Sequence, residues 1–255
     1  MVGLCSGKLI EAASMPADAA TTGGTMALPA PPPDAAMPID ALETLEFETG
    51  PTPRATLIVM HGLGADGNDF VPICEALDLS AVGDIRFIFP NAPMRPVTIN
   101  GGYVMRAWYD ILGAVGSRRE DEPGLRDAQA AIDALVEREA ERGVPTERIV
   151  LAGFSQGCAM ALLTGVRHRA RLAGIAGMSG YLPLAASTAA EASPANAGVP
   201  IFLAHGRFDP MVAMDRALAA REQLTALGYP VQWHEYPIEH SVSPDEVADL
   251  NRWLL

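Results

Sequence analysis

The sequence predicts an α/β fold in which a mostly parallel central sheet is covered by helices on both faces. Three observations predict it. From Leu45 onward, short apolar runs alternate with longer amphipathic segments, the order expected of strands linked by crossover helices. The short runs are continuous and contain β-branched residues, as buried strands do. The longer segments carry apolar residues at helical spacing and end on Gly or Pro. No internal repeat is visible.

Ala55 to Met60 is the first buried strand, followed by Gly62. Ile85 to Phe89 is the second, stopped by Pro90. Arg126 to Arg142 places Ala128, Ala131, Ile132, Leu135 and Val136 on one helix face, and Gly143 with Pro145 ends it. Ile149 to Phe154 is a strand, and Gln156 to Thr164 a helix of small and apolar residues. Ile175 to Met178 and Ile201 to Ala204 are further strands. Met211 to Leu227 is a helix closed by Gly228, Val231 to Tyr236 a strand, and Pro244 to Leu255 a last helix. Ser243 stands where that helix needs an N-cap.

The first 43 residues differ from the rest. They run through Ala, Thr, Gly and Pro, ending in the Pro29 to Pro33 stretch, a composition too poor in core residues to offset ordering entropy. Residues 1–43 are therefore expected to be a tail without a catalytic part. It is either disordered or the product of an over-extended start, with Met26 or Met37 as the alternative beginning. The domain is expected over 44–255. No signal peptide is recognised, because Glu11 and Asp18 break the apolar segment after Lys8.

Charge and cysteine content narrow the function. Asp and Glu number 31 against 18 Lys and Arg, a formal net charge of -13, which argues against nucleic acid as a partner. No apolar run approaches the roughly 20 residues needed to cross a bilayer. Cys5, Cys74 and Cys158 are odd in number and widely spaced, so no disulfide framework is read and a reducing, cytoplasmic location is expected. Cys158 reads as a buried, inert thiol.

In a parallel sheet the chemistry gathers beyond the carboxyl ends of the strands. There the chain reads Gly153-Phe154-Ser155-Gln156-Gly157, a G-x-S-x-G turn between a strand and a helix. The turn projects a serine hydroxyl from the sheet, and glycines at both flanks let strand and helix approach. Ser155 is the candidate nucleophile. A serine needs a base, and four histidines follow it. His168 is read as a surface residue ending the next helix, His205 ends a strand, and His234 lies within one. His240 falls in the loop between the last strand and the last helix, where the α/β-hydrolase order Ser, Asp or Glu, His requires the base. Asp209 in His205-Gly206-Arg207-Phe208-Asp209-Pro210 is the acid that orients it. Its rival Asp215 falls within a helix. The oxyanion needs backbone N–H donors. One is the residue after the nucleophile, Gln156. For the other the glycine-rich loop His61 to Gly67 offers Leu63, with His61 bracing the loop. No cluster with metal-ligand spacing occurs, so no metal and no cofactor are expected.

Several segments together resemble the phospholipase/carboxylesterase family of bacterial carboxylesterases and eukaryotic acyl-protein thioesterases. They are HGLGADGNDF at His61 to Phe70, Gly101 to Ile111 with Trp108-Tyr109-Asp110, GFSQG at Gly153 to Gly157, His205 to Pro210, and Glu239 to Val242. Pro93 to Asn100 and HGLGADGNDF resemble the bacterial carboxylesterase branch most. The resemblance implies the α/β-hydrolase fold, a triad of Ser155, Asp209 and His240, and oxyanion donors at Leu63 and Gln156. It implies a serine carboxylesterase acting on a small-molecule or lipid acyl ester of short to medium chain. The alternative is an acyl-protein thioesterase, or a lactone or peptide hydrolase on the same triad. Many relatives are dimers, which leaves a homodimer open. Trp108, in the segment corresponding to a substrate-facing loop, is a candidate for lining the acyl pocket, with core packing as the equal alternative.

Overall fold

Buried apolar strands do form the frame, and a computed structural model describes it over residues 42–113 and 119–255. The expected tail, apart from its last two residues, lies outside the described residues. In chain order the elements are β1 (Thr44–Glu48), β2 (Ala55–Met60), α1 (Val71–Glu75), β3 (Ile85–Pro90), β4 (Met94–Val97), β5 (Tyr103–Arg106), β6 (Ile111–Leu112) and β7 (Arg119–Glu120). They continue with α2 (Glu122–Glu141), β8 (Ile149–Phe154), α3 (Gln156–Arg167), β9 (Gly174–Met178), α4 (Ala185–Glu191), β10 (Ile201–Gly206), α5 (Met214–Ala226), β11 (Val231–Tyr236) and α6 (Pro244–Leu254).

Seven strands make the main sheet in the order β1-β3-β2-β8-β9-β10-β11. All neighbours pair in parallel except β1, which runs antiparallel to β3 with Thr44 opposite Pro90. The chain leaves β2 toward β3 on one side and returns to β8 on the other. The switch point therefore falls between β2 and β8, where the crevice of an open α/β sheet opens. The loop after β2 and the turn after β8 flank it.

Each sheet face carries its own core. One holds Ile58, Leu151, Ile175 and Leu203 against Ile132, Leu162 and Leu224 of α2, α3 and α5. The other holds Val59, Phe87, Ala176 and Phe202 against Cys74 and Leu250 of α1 and α6. Alternate residues of each strand serve opposite faces, so both must be apolar.

β1 is an edge strand tied down by charge. Glu139 on α2 is fully buried and accepts from Thr56 Oγ1 (2.9 Å), Arg86 (2.7 Å) and Arg142 (2.7 Å). Arg86 also reaches Glu48 of β1 at 2.7 Å. Removing one member of such a set leaves the others buried without partners.

A second buried carboxyl is less well served. Ser243 caps α6, its Oγ accepting from Glu246 N at 3.1 Å. Glu246 has no exposed surface, and neither carboxyl oxygen makes a well-formed hydrogen bond. Burial pushes its carboxyl up to about 7, offset only in part by the Ser243 N–H. The unfolded chain releases this proton near 4.5, so the folded state holds the extra proton between those two values. Stability from this group is full below the lower value and is lost as pH rises toward the upper one. Glu246→Gln keeps the capping geometry without the charge. We expect it to raise unfolding stability by about 2 kcal/mol at pH 8, with the gain fading near pH 5. Urea titrations of both proteins at the two pH values check this, and an equal effect at both would contradict it.

Candidate active site

The sharp turn between β8 and α3 fixes the first group. Ser155 has φ 56° and ψ -116°, a conformation that non-glycine residues adopt only under strain. It is held from both sides. Its N–H donates to Met178 O on β9 at 2.9 Å, and its carbonyl accepts from Ala159 N at 3.1 Å. A Cβ on Gly153 would lie 2.2 Å from Gly157 O, and one on Gly157 would lie 2.0 Å from Met60 O. Both glycines are needed for strand, turn and helix to meet. Ser155 makes no side-chain cap to the helix, so its hydroxyl is free for other partners.

That partner is His240. Its Nε2 lies 3.0 Å from Ser155 Oγ, and its Nδ1 lies 2.6 Å from Asp209 Oδ2. Asp209 is 1% exposed at its side chain, and its other oxygen accepts from the N–H groups of Met211 (2.8 Å) and Val212 (2.9 Å). A carboxylate so placed accepts from Nδ1–H, leaving Nε2 to accept from the serine. The Phe154 ring packs on the imidazole at 4.7 Å. Residues 155, 209 and 240, distant in sequence, thus form one hydrogen-bonded chain.

Gln156 follows Ser155 in the first turn of α3, and the loop after β2 comes close to Ser155 at Gly62, where an added Cβ would lie 3.4 Å from Ser155 Cβ, next to Leu63 in the chain. Neither the Leu63 N–H nor the Gln156 N–H has a hydrogen-bond partner among the described residues. The α3 N-terminus adds its positive dipole end. His61 braces the Leu63 loop. It is fully buried, its Nε2 accepts from Ala92 N at 3.0 Å, and its Nδ1 donates to Gly62 O at 2.7 Å. Burial holds its pKa below the usual imidazole range, which suits a neutral ring with one donor and one acceptor.

Three expectations need correction. Trp108 has no exposed surface and donates its Nε1–H to His61 O at 2.9 Å, so it packs into the core and presents nothing to a pocket. His168 is 2% exposed, because α3 runs one turn further than expected and places the ring against Asp133 of α2 at 2.6 Å. β10 extends to Gly206, which puts His205 inside the strand. There it donates Nε2–H to Val212 O at 2.9 Å and steadies the Asp209 loop. That His205 function was missed, although a His four residues before the acid was visible. Asp215 lies in the first turn of α5, as expected. Cys158 is buried and its thiol is pushed up to about 12.

Two clefts of about 300 and 350 Å³ lie around Leu79 and Ile85, near the start of β3. They sit at the opposite ends of the strands and do not reach Ser155. Among the described residues, no group of His, Cys, Asp and Glu could hold a metal ion, and no helix is long and apolar enough to cross a membrane.

A parallel sheet with a strained serine at its switch point, followed by an acid and a histidine in later loops, defines a serine hydrolase of the α/β-hydrolase fold. Residues 47–255 match the Phospholipase/Carboxylesterase family, and the chain belongs to it. It is an enzyme that hydrolyses ester-type bonds. Acyl-protein thioesterase 1 of Yarrowia lipolytica is 36% identical over 205 residues, 78% of this chain and 90% of that protein. The protein of the same name from Gibberella zeae is 37% identical over 219 residues, 82% of this chain and 93% of its own length. Among solved structures, Arabidopsis thaliana SOBER1 superposes with a TM-score of 0.74 at 31% identity, covering 79% of this chain and 97% of its own. Zea mays acyl-protein thioesterase 2 superposes with the same score at 28% identity, covering 83% and 97%.

Proposed function

We propose that this protein is an acyl-protein thioesterase that works through an acyl-enzyme on Ser155. The observation that carries the mechanism is the bonded chain Asp209–His240–Ser155 beside two unoccupied N–H groups. His240 takes the serine proton as Ser155 Oγ attacks the acyl carbonyl. The N–H groups of Leu63 and Gln156 receive the oxyanion, each worth about 3 kcal/mol of barrier. The leaving thiol or alcohol departs with the proton from His240, and water then repeats the sequence on the acyl-enzyme. Asp209 holds the ring and stabilises its charged form. The catalytic domain on this reading is 44–255.

The thioester side of the reading is favoured by the names of the curated relatives above over the short- to medium-chain esters expected from sequence. The surface agrees with it. Ser155 is half-buried, so part of it faces solvent, from which a substrate attached to a protein can approach. Phe208 and Met211, beside Asp209, are exposed, as are Tyr103 and Val104 of the β4–β5 hairpin, which offers apolar surface to an acyl chain. We expect kcat/KM for a long-chain S-acyl peptide to exceed that for the matched O-acyl peptide and for short-chain aryl esters. A chain-length series of both bond types checks this. Highest turnover on short O-esters, with thioesters trailing, would move the assignment to a carboxylesterase.

A further inference from the structure

The two oxyanion donors come from segments far apart in sequence, yet one short strap touches both. The strap is Arg106 to Tyr109, leaving β5. Its first residue offers Arg106 O to Gly64 N at 2.9 Å, next to Leu63. Its last two residues clasp the Gln156 side chain. Trp108 N donates to Gln156 Oε1 at 3.0 Å, and Gln156 Nε2 donates to Tyr109 O at 3.0 Å. Between them the Trp108 ring donates Nε1–H to His61 O at 2.9 Å, and His61 is locked to Gly62 and Ala92. Gln156 is 3% exposed, while Trp108 and His61 are fully buried. The bonds among Trp108, Gln156, Tyr109 and His61 are therefore made between buried groups.

We infer that Gln156, through its side-chain amide, and Trp108, through its indole N–H, are positioning residues that set the spacing between the Leu63 and Gln156 N–H groups. The Gln156 residue then serves twice: its backbone faces the oxyanion, and its side chain fixes where that backbone sits relative to the other donor. The physical reason is that an oxyanion hole works only if its donors are already aimed at the position the charge will occupy. Displacing one donor by a fraction of an ångström weakens transition-state binding while leaving ground-state binding almost unchanged. The inference rests on the acyl-enzyme reading above.

The test uses Gln156→Met, which keeps the volume and the backbone N–H but loses both amide bonds, and Trp108→Phe, which loses the indole donor. Leu135→Ala on α2 serves as a core variant that lowers stability away from the site. We expect each of the first two to lower kcat about tenfold with KM nearly unchanged. A trifluoromethyl ketone, whose hemiketal adduct with Ser155 Oγ carries the oxyanion, should lose affinity in the same ratio. The double variant should fall little further than the worse single one, because both act on one unit. Leu135→Ala should lower the thermal midpoint but leave kcat and ketone affinity in place. Q156M covers the case in which W108F disturbs packing. Unchanged kcat in Q156M, or losses that track the thermal midpoint as in L135A, would overturn the positioning role. If Ser155→Ala is inactive while W108F and Q156M run at full rate, only this inference fails. If Ser155→Ala keeps its turnover, the acyl-enzyme reading itself fails.

Discussion

Ser155→Ala is expected to lower kcat by at least about 10⁴-fold on any ester or thioester the protein turns over. The fold should survive. The change removes one oxygen whose bond is to His240 alone, and the turn is held by its backbone bonds to Met178 and Ala159. Thermal unfolding should stay within a few degrees of the parent. Residual turnover within tenfold of the parent, in material free of wild type, would remove Ser155 from the chemistry. His240 would then be paired with a hydroxyl that does nothing.

Gly157→Ala is expected to have the largest effect on stability. The new Cβ would stand 2.0 Å from Met60 O, 2.5 Å from Met60 C and 2.9 Å from His61 O. These are backbone atoms of β2 and the oxyanion loop, and they cannot rotate away as a side chain does. Relief requires α3 to lift from the sheet, which breaks packing across β2, β8 and α3 together. A cost of about 4 kcal/mol or more follows, at the extreme of single substitutions. Activity should vanish with it, because the same movement parts Ser155 from His240. Gly62→Ala is the comparison. Its Cβ meets Phe154 Cδ1 and Ser155 Cβ at 3.4 Å, close to ordinary contact, so it should cost less than about 1 kcal/mol. Denaturant unfolding of the two variants side by side distinguishes them. Similar stability losses would mean that close approach at Gly157 is not what shapes the turn.

The elements legible in the sequence were those with a strong local signal. β2 and β8 fall on the expected residues because continuous apolar runs have few alternatives to a buried strand, and β11 does so although it mixes Val231, Trp233 and Tyr236 with polar residues. Ser155, Asp209 and His240 were legible because each lies just past a strand, where an open sheet puts its chemistry. The misses share a different cause. β1 reads Thr44-Leu-Glu-Phe-Glu48, with two acids in five residues, and its pairing to β3 is supported by Arg86, Arg138 and Arg142, which neutralise those acids. The β4–β5 hairpin buries little and carries Pro96, so no apolar pattern announced it. α1 and α4 are short, at 5 and 7 residues, and depend on tertiary contacts rather than propensity. Trp108 was legible only as an even choice between acyl pocket and core, because an aromatic in a long loop has no visible neighbours. Its neighbours His61 and Gln156 lie 47 and 48 residues away. The burial of Glu139 and Glu246 likewise has no local signal, because it depends on what the sheet and its loops lay against their helices.

The central claim is that an acyl group passes through Ser155 with His240 as base. Intact-mass and peptide-mapping analysis after a short exposure to a fluorophosphonate tests it most directly. We expect one adduct per chain, located on Ser155, formed rapidly in the parent and at least about 10³-fold more slowly in His240→Ala. An adduct on another residue, or equal labelling of Ser155 when His240 is absent, would contradict the account.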